Sequence, residues 1–263
     1  MAQFGPRTAV RSVERALAAL DYLVDAAPRA VRVTDVAEHL GLSLAAASRL
    51  LATLAESGYA SRTIERRFTV GPRSMPLAGA WLASLRAAAA APVALASSVT
   101  GESVMLAQML GGSLTPVTWH PHPERGAELS ARLEEVGTSF PVWATACGRA
   151  MLGKMPAAQR RKMLPADSYP RLTERTLASQ AEVLDRVKDG ERTGLHLERG
   201  EVLPDLWCCA VALDPGPSGE ILALSVISFD EPDTDRRVRI HKTLRYQVRE
   251  VAARMAGLPP AAG

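Results

Sequence analysis

The sequence predicts an α+β protein in three parts: a winged helix-turn-helix over 1–73, a linker helix over 74–91 and an antiparallel α/β domain over 92–263. Three observations predict it. The first part alternates helical apolar spacing with turn residues and ends in an arginine-rich hairpin. The excess positive charge is confined there: residues 1–75 hold ten Arg against seven Asp and Glu, whereas the remainder balances 21 basic against 21 acidic residues. From Pro92 onward, strand-like stretches joined by turns are mixed with helices, the pattern of an antiparallel α+β layer. A chain of 263 residues has room for two such domains. Its 47% apolar and 22% charged composition is that of a globular protein.

A first helix is expected over 12–25, with Val13, Leu17, Leu20 and Val24 as its apolar stripe and Pro28 beyond its end. Thr34 is expected to cap a short helix carrying Val36, Ala37 and Leu40, which Gly41 breaks. The stretch 41–58, GLSLAAASRLLATLAESG, follows. Ser43 stands at its N-cap, Ala47, Leu50, Leu51 and Leu54 recur at buried helical spacing, and Gly58 sits where a C′ glycine belongs. Helix, short helix, glycine turn and helix is the order in which the last helix enters a DNA major groove. Its outward face would be slim: Ala45, Ser48, Arg49 and Ala52. Next, YASRTIERRFTVG predicts a hairpin wing with Arg62, Arg66 and Arg67 placed to meet phosphates. The candidate DNA-contacting residues are therefore Thr34, Ser43, Leu44, Ala45, Ser48, Arg49, Arg62, Arg66 and Arg67.

Residues 75–91 are alanine-rich and favour helix, with Leu77, Trp81, Leu82 and Leu85 on one side, a face suited to a twin in a dimer. Strands are expected over 103–110 and 114–119 around Gly111-Gly112, and over 206–213 and 220–229 around the turn 215–219. Helices are expected over 144–155, from Ser179 to about Lys188 with Glu182 completing a capping box, and over 234–256 with Leu244, Val248, Val251 and Met255 buried.

Several function classes are disfavoured. No run of 18 apolar residues predicts a membrane span, and MAQFGPRTAVRSVER lacks an apolar signal core, so a cytoplasmic protein is expected. Three cysteines, two adjacent, fit reduced thiols better than a disulfide framework. No Cys/His spacing matches a zinc site, and His120 with His122 is too few ligands, so no metal or cofactor is expected. Cys147 at a helix start could be an activated nucleophile, which makes a cysteine-dependent enzyme acting on a small metabolite the alternative reading. Such a thiol needs a histidine base, and no motif places His120, His122 or His196 beside it.

In this order the elements resemble the IclR family of transcriptional regulators over roughly 13–258. The residues that carry the resemblance are SVERALAALDYL, GLSLAAASRLLATLAESGYA, GTSFPVWATACGRAML, ERTGLHLERGEVLPDLWCCAVAL and ALSVIS. The resemblance implies a GAF-like effector-binding C-terminal domain, double-stranded operator DNA as partner, and no enzymatic activity. It also implies dimerisation through the N-terminal part, often extended to tetramers, and a small-molecule effector, frequently a carboxylic or aromatic acid, acting on a catabolic or metabolic operon. Carried over position by position, the effector site comprises Ala146, Cys147, Glu198, Leu206, Cys208 and Ser225. The N–H groups of Ala146 and Cys147 at a helix N-terminus could hold a carboxylate, and strand alternation puts Leu206, Cys208 and Ala210 on one face. Trp143 and Trp207 flank these positions as candidates for aromatic contact. The sequence departs from the family pattern at Leu44-Ala45-Ala46, where polar residues are usual, and at Trp143, Arg149 and Ile227.

Overall fold

The computed structural model describes residues 10–110, 113–136, 140–165, 168–215 and 221–257. It divides into two compact units, Met1–Trp81 and Leu82–Gly263. The first contains α1 (Arg11–Ala26), α2 (Val33–His39), α3 (Leu44–Glu56) and a hairpin of β1 (Ala60–Arg62) with β2 (Phe68–Val70). Leu23, Val31, Val36, Leu51, Leu54 and Phe68 are central to its core. Gly41, at φ +61, makes the turn between α2 and α3. Ser43 Oγ accepts from the Ala46 N–H at 3.3 Å and caps α3. At the other end Gly58, at φ +77, donates to Ala55 O, and Tyr59 N–H donates to Leu54 O. Those two bonds satisfy the last carbonyls as a Schellman motif does. Val31 exchanges two 2.8 Å backbone hydrogen bonds with Phe68, tying the wing to the α1–α2 connection.

Two expectations fail here. Thr34 is not the cap of α2; Arg32 holds that place, its N–H and guanidinium both bonded to Asp35, and Thr34 lies inside the helix. The α1 stripe is also misplaced. Ala19 and Leu23 are buried, whereas Val13, Leu17 and Val24 are 53%, 57% and 56% exposed. Helical spacing identifies an apolar face but not what covers it, and small Ala19 lets the rest of the unit approach on the adjacent face.

The helix α4 (Ser74–Thr100) runs past its expected end, carrying Pro92 inside it. A proline there costs a backbone bond and about 3 kcal/mol. The buried row Leu85, Ala89, Val93 and Ala96 continues straight across Pro92, and its burial offsets that loss. By length and composition α4 could cross a membrane, with a mean hydropathy of 1.4. Its second half instead packs against a sheet.

That sheet is antiparallel, with order β5-β4-β3-β8-β7-β6. Its strands are β3 (Ser103–Leu110), β4 (Ser113–His120), β5 (Phe140–Pro141), β6 (His196–Arg199), β7 (Trp207–Ala212) and β8 (Leu222–Ser228). The helices are α5 (Gly126–Val136), α6 (Ala146–Gly153), α7 (Ala157–Met163), α8 (Gln180–Thr193) and α9 (Thr234–Met255). One sheet face carries Leu106, Trp207, Cys209 and Leu224 against α4 and α9. The other carries Met105, Ala210, Ala223 and Ile227 against α5 and α6. α8 extends beyond Lys188 to Gly194 at φ +72. Ser179 caps it, but Glu182 returns to the N–H of Ala178 rather than to that of Ser179. The turns expected at 111–112 and 216–219 lie outside the described residues.

Candidate functional site

On α3 the expected face is exposed. Leu44 is 56% exposed, Ala45, Ser48 and Arg49 are open to solvent, and Ala47, Leu51 and Leu54 are buried behind them. The wing arginines are not equivalent. Arg62 lies 5.8 Å from the Phe68 ring centroid, and Arg67 Nε lies 3.4 Å from Glu65 Oε2. Arg66 occupies the hairpin tip at φ +58 and is exposed. Thr34 donates at 3.4 Å to Asp35 Oδ1, so its hydroxyl serves the start of α2.

In the second unit a cavity of about 400 Å³ opens between the sheet, α5 and the start of α6. Ala146, Cys147, Glu198, Leu206, Cys208 and Ser225, which come from four separate stretches of chain, all line it. Alternation explains the β7 and β8 contributions, since Cys208 pairs with Ile227 and Ala210 with Ser225 on the cavity face. Cys209 and Trp207 point to the opposite core. Trp143 packs edge-on against Tyr169 at 5.4 Å, so neither expected tryptophan lines the cavity. Trp119 does. Strict alternation would set it opposite Leu114 and Pro116. A register shift pairs Leu106 with Thr118 but Ala107 with Pro116, leaving Val117 as the extra residue and turning Trp119 inward. Pro116 inside a strand was the available signal for that bulge. Phe140, Leu133 and Met105 complete the apolar wall.

The start of α6 is fixed from two sides. Thr145 caps it, its Oγ1 accepting from the Gly148 N–H at 3.0 Å, and Arg149 N–H makes the first i→i−4 bond, to Thr145 O. The N–H groups of Ala146 and Cys147 precede that bond, and both residues line the cavity. A Cβ on Gly148 would stand 2.2 Å from Val142 O, so this seat requires glycine. Arg149 is wholly buried. Its guanidinium bonds Glu201 Oε2 at 2.5 Å, Glu201 Oε1 at 3.1 Å and Trp143 O at 2.8 Å, and also donates to Leu197 O. Burial raises the Glu201 carboxyl above its ordinary range while Arg149 opposes that rise.

Glu198 is 1% exposed. Its Oε1 accepts from the N–H groups of Glu201 at 2.5 Å and Val202 at 3.2 Å, closing the turn after β6. Its Oε2 is buried without a hydrogen-bond partner. Burial raises its pKa, opposed by the neighbouring Cys208 thiol. The Cys147 thiol donates to Ala223 O at 3.9 Å, and burial pushes its pKa up to about 12. The helix N-terminus was expected to lower it; desolvation wins. His122 Nδ1 accepts from the N–H groups of Glu124 and Arg125 at 3.1 Å each, so it shapes a turn.

Residues 12–63 match the IclR helix-turn-helix domain, and residues 82–254 match the C-terminal domain of the bacterial transcriptional regulator IclR. The chain belongs to the IclR family. The Escherichia coli K12 regulator XynR is 24% identical over 253 residues, covering 95% of this chain and 98% of the relative. The Mycobacterium tuberculosis regulator Rv1719 is 27% identical over 205 residues, covering 78% and 77%. A solved IclR regulator from Silicibacter sp. TM1040 aligns with a TM-score of 0.61 at 22% identity, over 95% and 98% of the two chains. An IclR homologue from Microbacterium hydrocarbonoxydans, solved with 4-hydroxybenzoate, aligns with a TM-score of 0.57 at 17% identity, over 94% and 99%. This IclR-family chain is a DNA-binding transcriptional regulator, and the cysteine-dependent enzyme considered from sequence is set aside. A thiol with its pKa near 12 agrees with that.

Proposed function

We propose that the regulator controls a catabolic or metabolic operon and answers to a small organic or aromatic acid bound in the C-terminal cavity. The observation that carries this reading is the convergence of six residues from distant stretches on one largely apolar cavity. That cavity is lined at one end by Ala146 and Cys147, the first two residues of α6, where a helix offers N–H groups not used within it. In this reading Leu44, Ala45, Ser48 and Arg49 meet the major groove, Ser43 and Thr34 hold the helices that present them, and Arg62, Arg66 and Arg67 grip phosphates. With so few polar groups on α3, methyl contacts to thymine and the Arg49 guanidinium supply direct readout.

The working form in this proposal is a cytoplasmic homodimer, able to pair further into a tetramer. Its motivation is the apolar surface left open on α1 by Val13, Leu17 and Val24 and on α4 by Leu77 and Trp81, which a second copy can cover. Effector binding then shifts the population between two spacings of the recognition helices, which requires different affinity for each. A gel-shift assay on the intergenic DNA beside its own gene, with and without benzoate, tests the reading. Retardation that benzoate or a related acid alters is expected; no retardation at low salt under any of these conditions overturns it.

A further inference from the structure

The effector cavity contains an unmet hydrogen-bonding demand. Glu198 Oε1 is committed to the turn N–H groups of Glu201 and Val202, while Oε2 stands buried and unpartnered on the cavity wall. Leaving such an acceptor dry costs about 1–3 kcal/mol, more when it is charged. The Cys208 thiol beside it is a weak donor. Among the described lining residues there is no Lys, Arg or His, and the two charged ones, Glu198 and Glu134, are both acidic. A carboxylate pressed against Glu198 would therefore meet another carboxyl with no cation between them. A hydroxyl both donates and accepts, so it satisfies Oε2 in either protonation state. The surrounding wall of Leu114, Trp119, Leu133, Phe140 and Ile227 demands an apolar, ring-sized body.

We propose that the effector is a hydroxylated, mainly apolar compound such as a phenol, and that Glu198 selects it by hydrogen bonding its hydroxyl through Oε2. Any carboxylate on the same molecule is left to the N–H groups of Ala146 and Cys147. This rests on the cavity being the effector site, and it narrows the ligand to monoanionic or neutral hydroxy compounds.

Isothermal titration calorimetry on the full chain tests it with benzoate, 3- and 4-hydroxybenzoate, 4-methoxybenzoate, phenol and anisole. The hydroxylated members are expected to bind about ten-fold more tightly than their unsubstituted or O-methyl counterparts, a difference of roughly 1.4 kcal/mol. In Glu198→Gln the amide oxygen stays with the turn and its NH2 faces the cavity, so the preference for hydroxyl over methoxy falls. Glu198→Met removes the preference altogether. Equal binding of hydroxylated and methoxylated ligands by the wild-type protein overturns the proposal, as does an undiminished preference in Glu198→Gln. Leu206→Trp fills the cavity: ligands that still bind it normally sit elsewhere, and both the cavity reading and this proposal fall. Discrimination of phenol from anisole without binding of any benzoate upholds the hydroxyl proposal and removes only the acid.

Discussion

The exposed face of α3 and the wall of the cavity differ in what surrounds each functional side chain. Ser48 and Arg49 project from a helix whose seat is made by other residues, Ala47, Leu51 and Leu54. Their replacement changes what the helix can touch and leaves the core alone. In the cavity, Glu198 is both wall and fastener, and Arg149 behind it joins α6 to β6 and to the Glu201 turn. On the proposed roles, a side chain that meets DNA can thus vary cheaply, whereas one that meets the effector is tied to the fold. Substitutions on both sides and one titration can break or sharpen this contrast.

The largest effect is expected at Arg149. Arg149→Met strands the Glu201 carboxylate in the interior, and a broken buried pair costs about 3–5 kcal/mol. Urea unfolding should show that loss for the C-terminal domain. Arg149→Met combined with Glu201→Leu should recover most of it, because the penalty lies in the unpaired charge. A loss below about 1 kcal/mol in the single variant would contradict the fastening role.

Next comes His196, buried against Gly153 and Gly190, with its pKa lowered to about 4 by burial and then by the Arg149 charge. Above its ordinary value of 6.5 neither folded nor unfolded chain binds the proton. As the pH falls from 6.5 toward 4, only the unfolded chain takes it up, and stability drops by up to about 1.4 kcal/mol per pH unit. The raised carboxyls of Glu198 and Glu201 act in the opposite sense, gaining protons first in the folded state. The comparison is therefore the slope of stability against pH in wild type minus that in His196→Gln. An unchanged slope would show that the ring is not held neutral.

How much of this was legible in the sequence follows from the range of the forces involved. Capping of α3 by Ser43 and its end at Gly58 depend on neighbours within a turn, so local reading reached them. The α1 stripe and the end of α4 depend on which surface comes to cover an apolar row, and there local reading failed in both directions. The cavity residues were reached through the family resemblance, with alternation supporting only Leu206 and Cys208. Trp119 escaped because one extra residue at Val117 reversed the strand face. The Arg149–Glu201 pair spans 52 positions and left no local trace at all.

On the DNA side the effects should be smaller and separable. Arg49→Ala is expected to leave stability within about 0.5 kcal/mol, since the side chain is exposed. It should cost about 1–3 kcal/mol of discrimination at one base position if its guanidinium reads a base edge. Arg66→Ala should weaken binding about equally on specific and unrelated DNA, and lower the slope of log affinity against log salt by about one. Fluorescence anisotropy over a salt series, on operator and scrambled duplexes, measures both. Arg66 sits at the wing tip with positive φ, a conformation that its own Cβ already strains and that alanine would keep unrelieved. Arg66→Asn removes the charge with a residue that tolerates this conformation. If Arg66→Asn kept the full salt slope, the tip would make no phosphate contact, and the grip would pass to Arg62 and Arg67, whose guanidiniums are already engaged with Phe68 and Glu65.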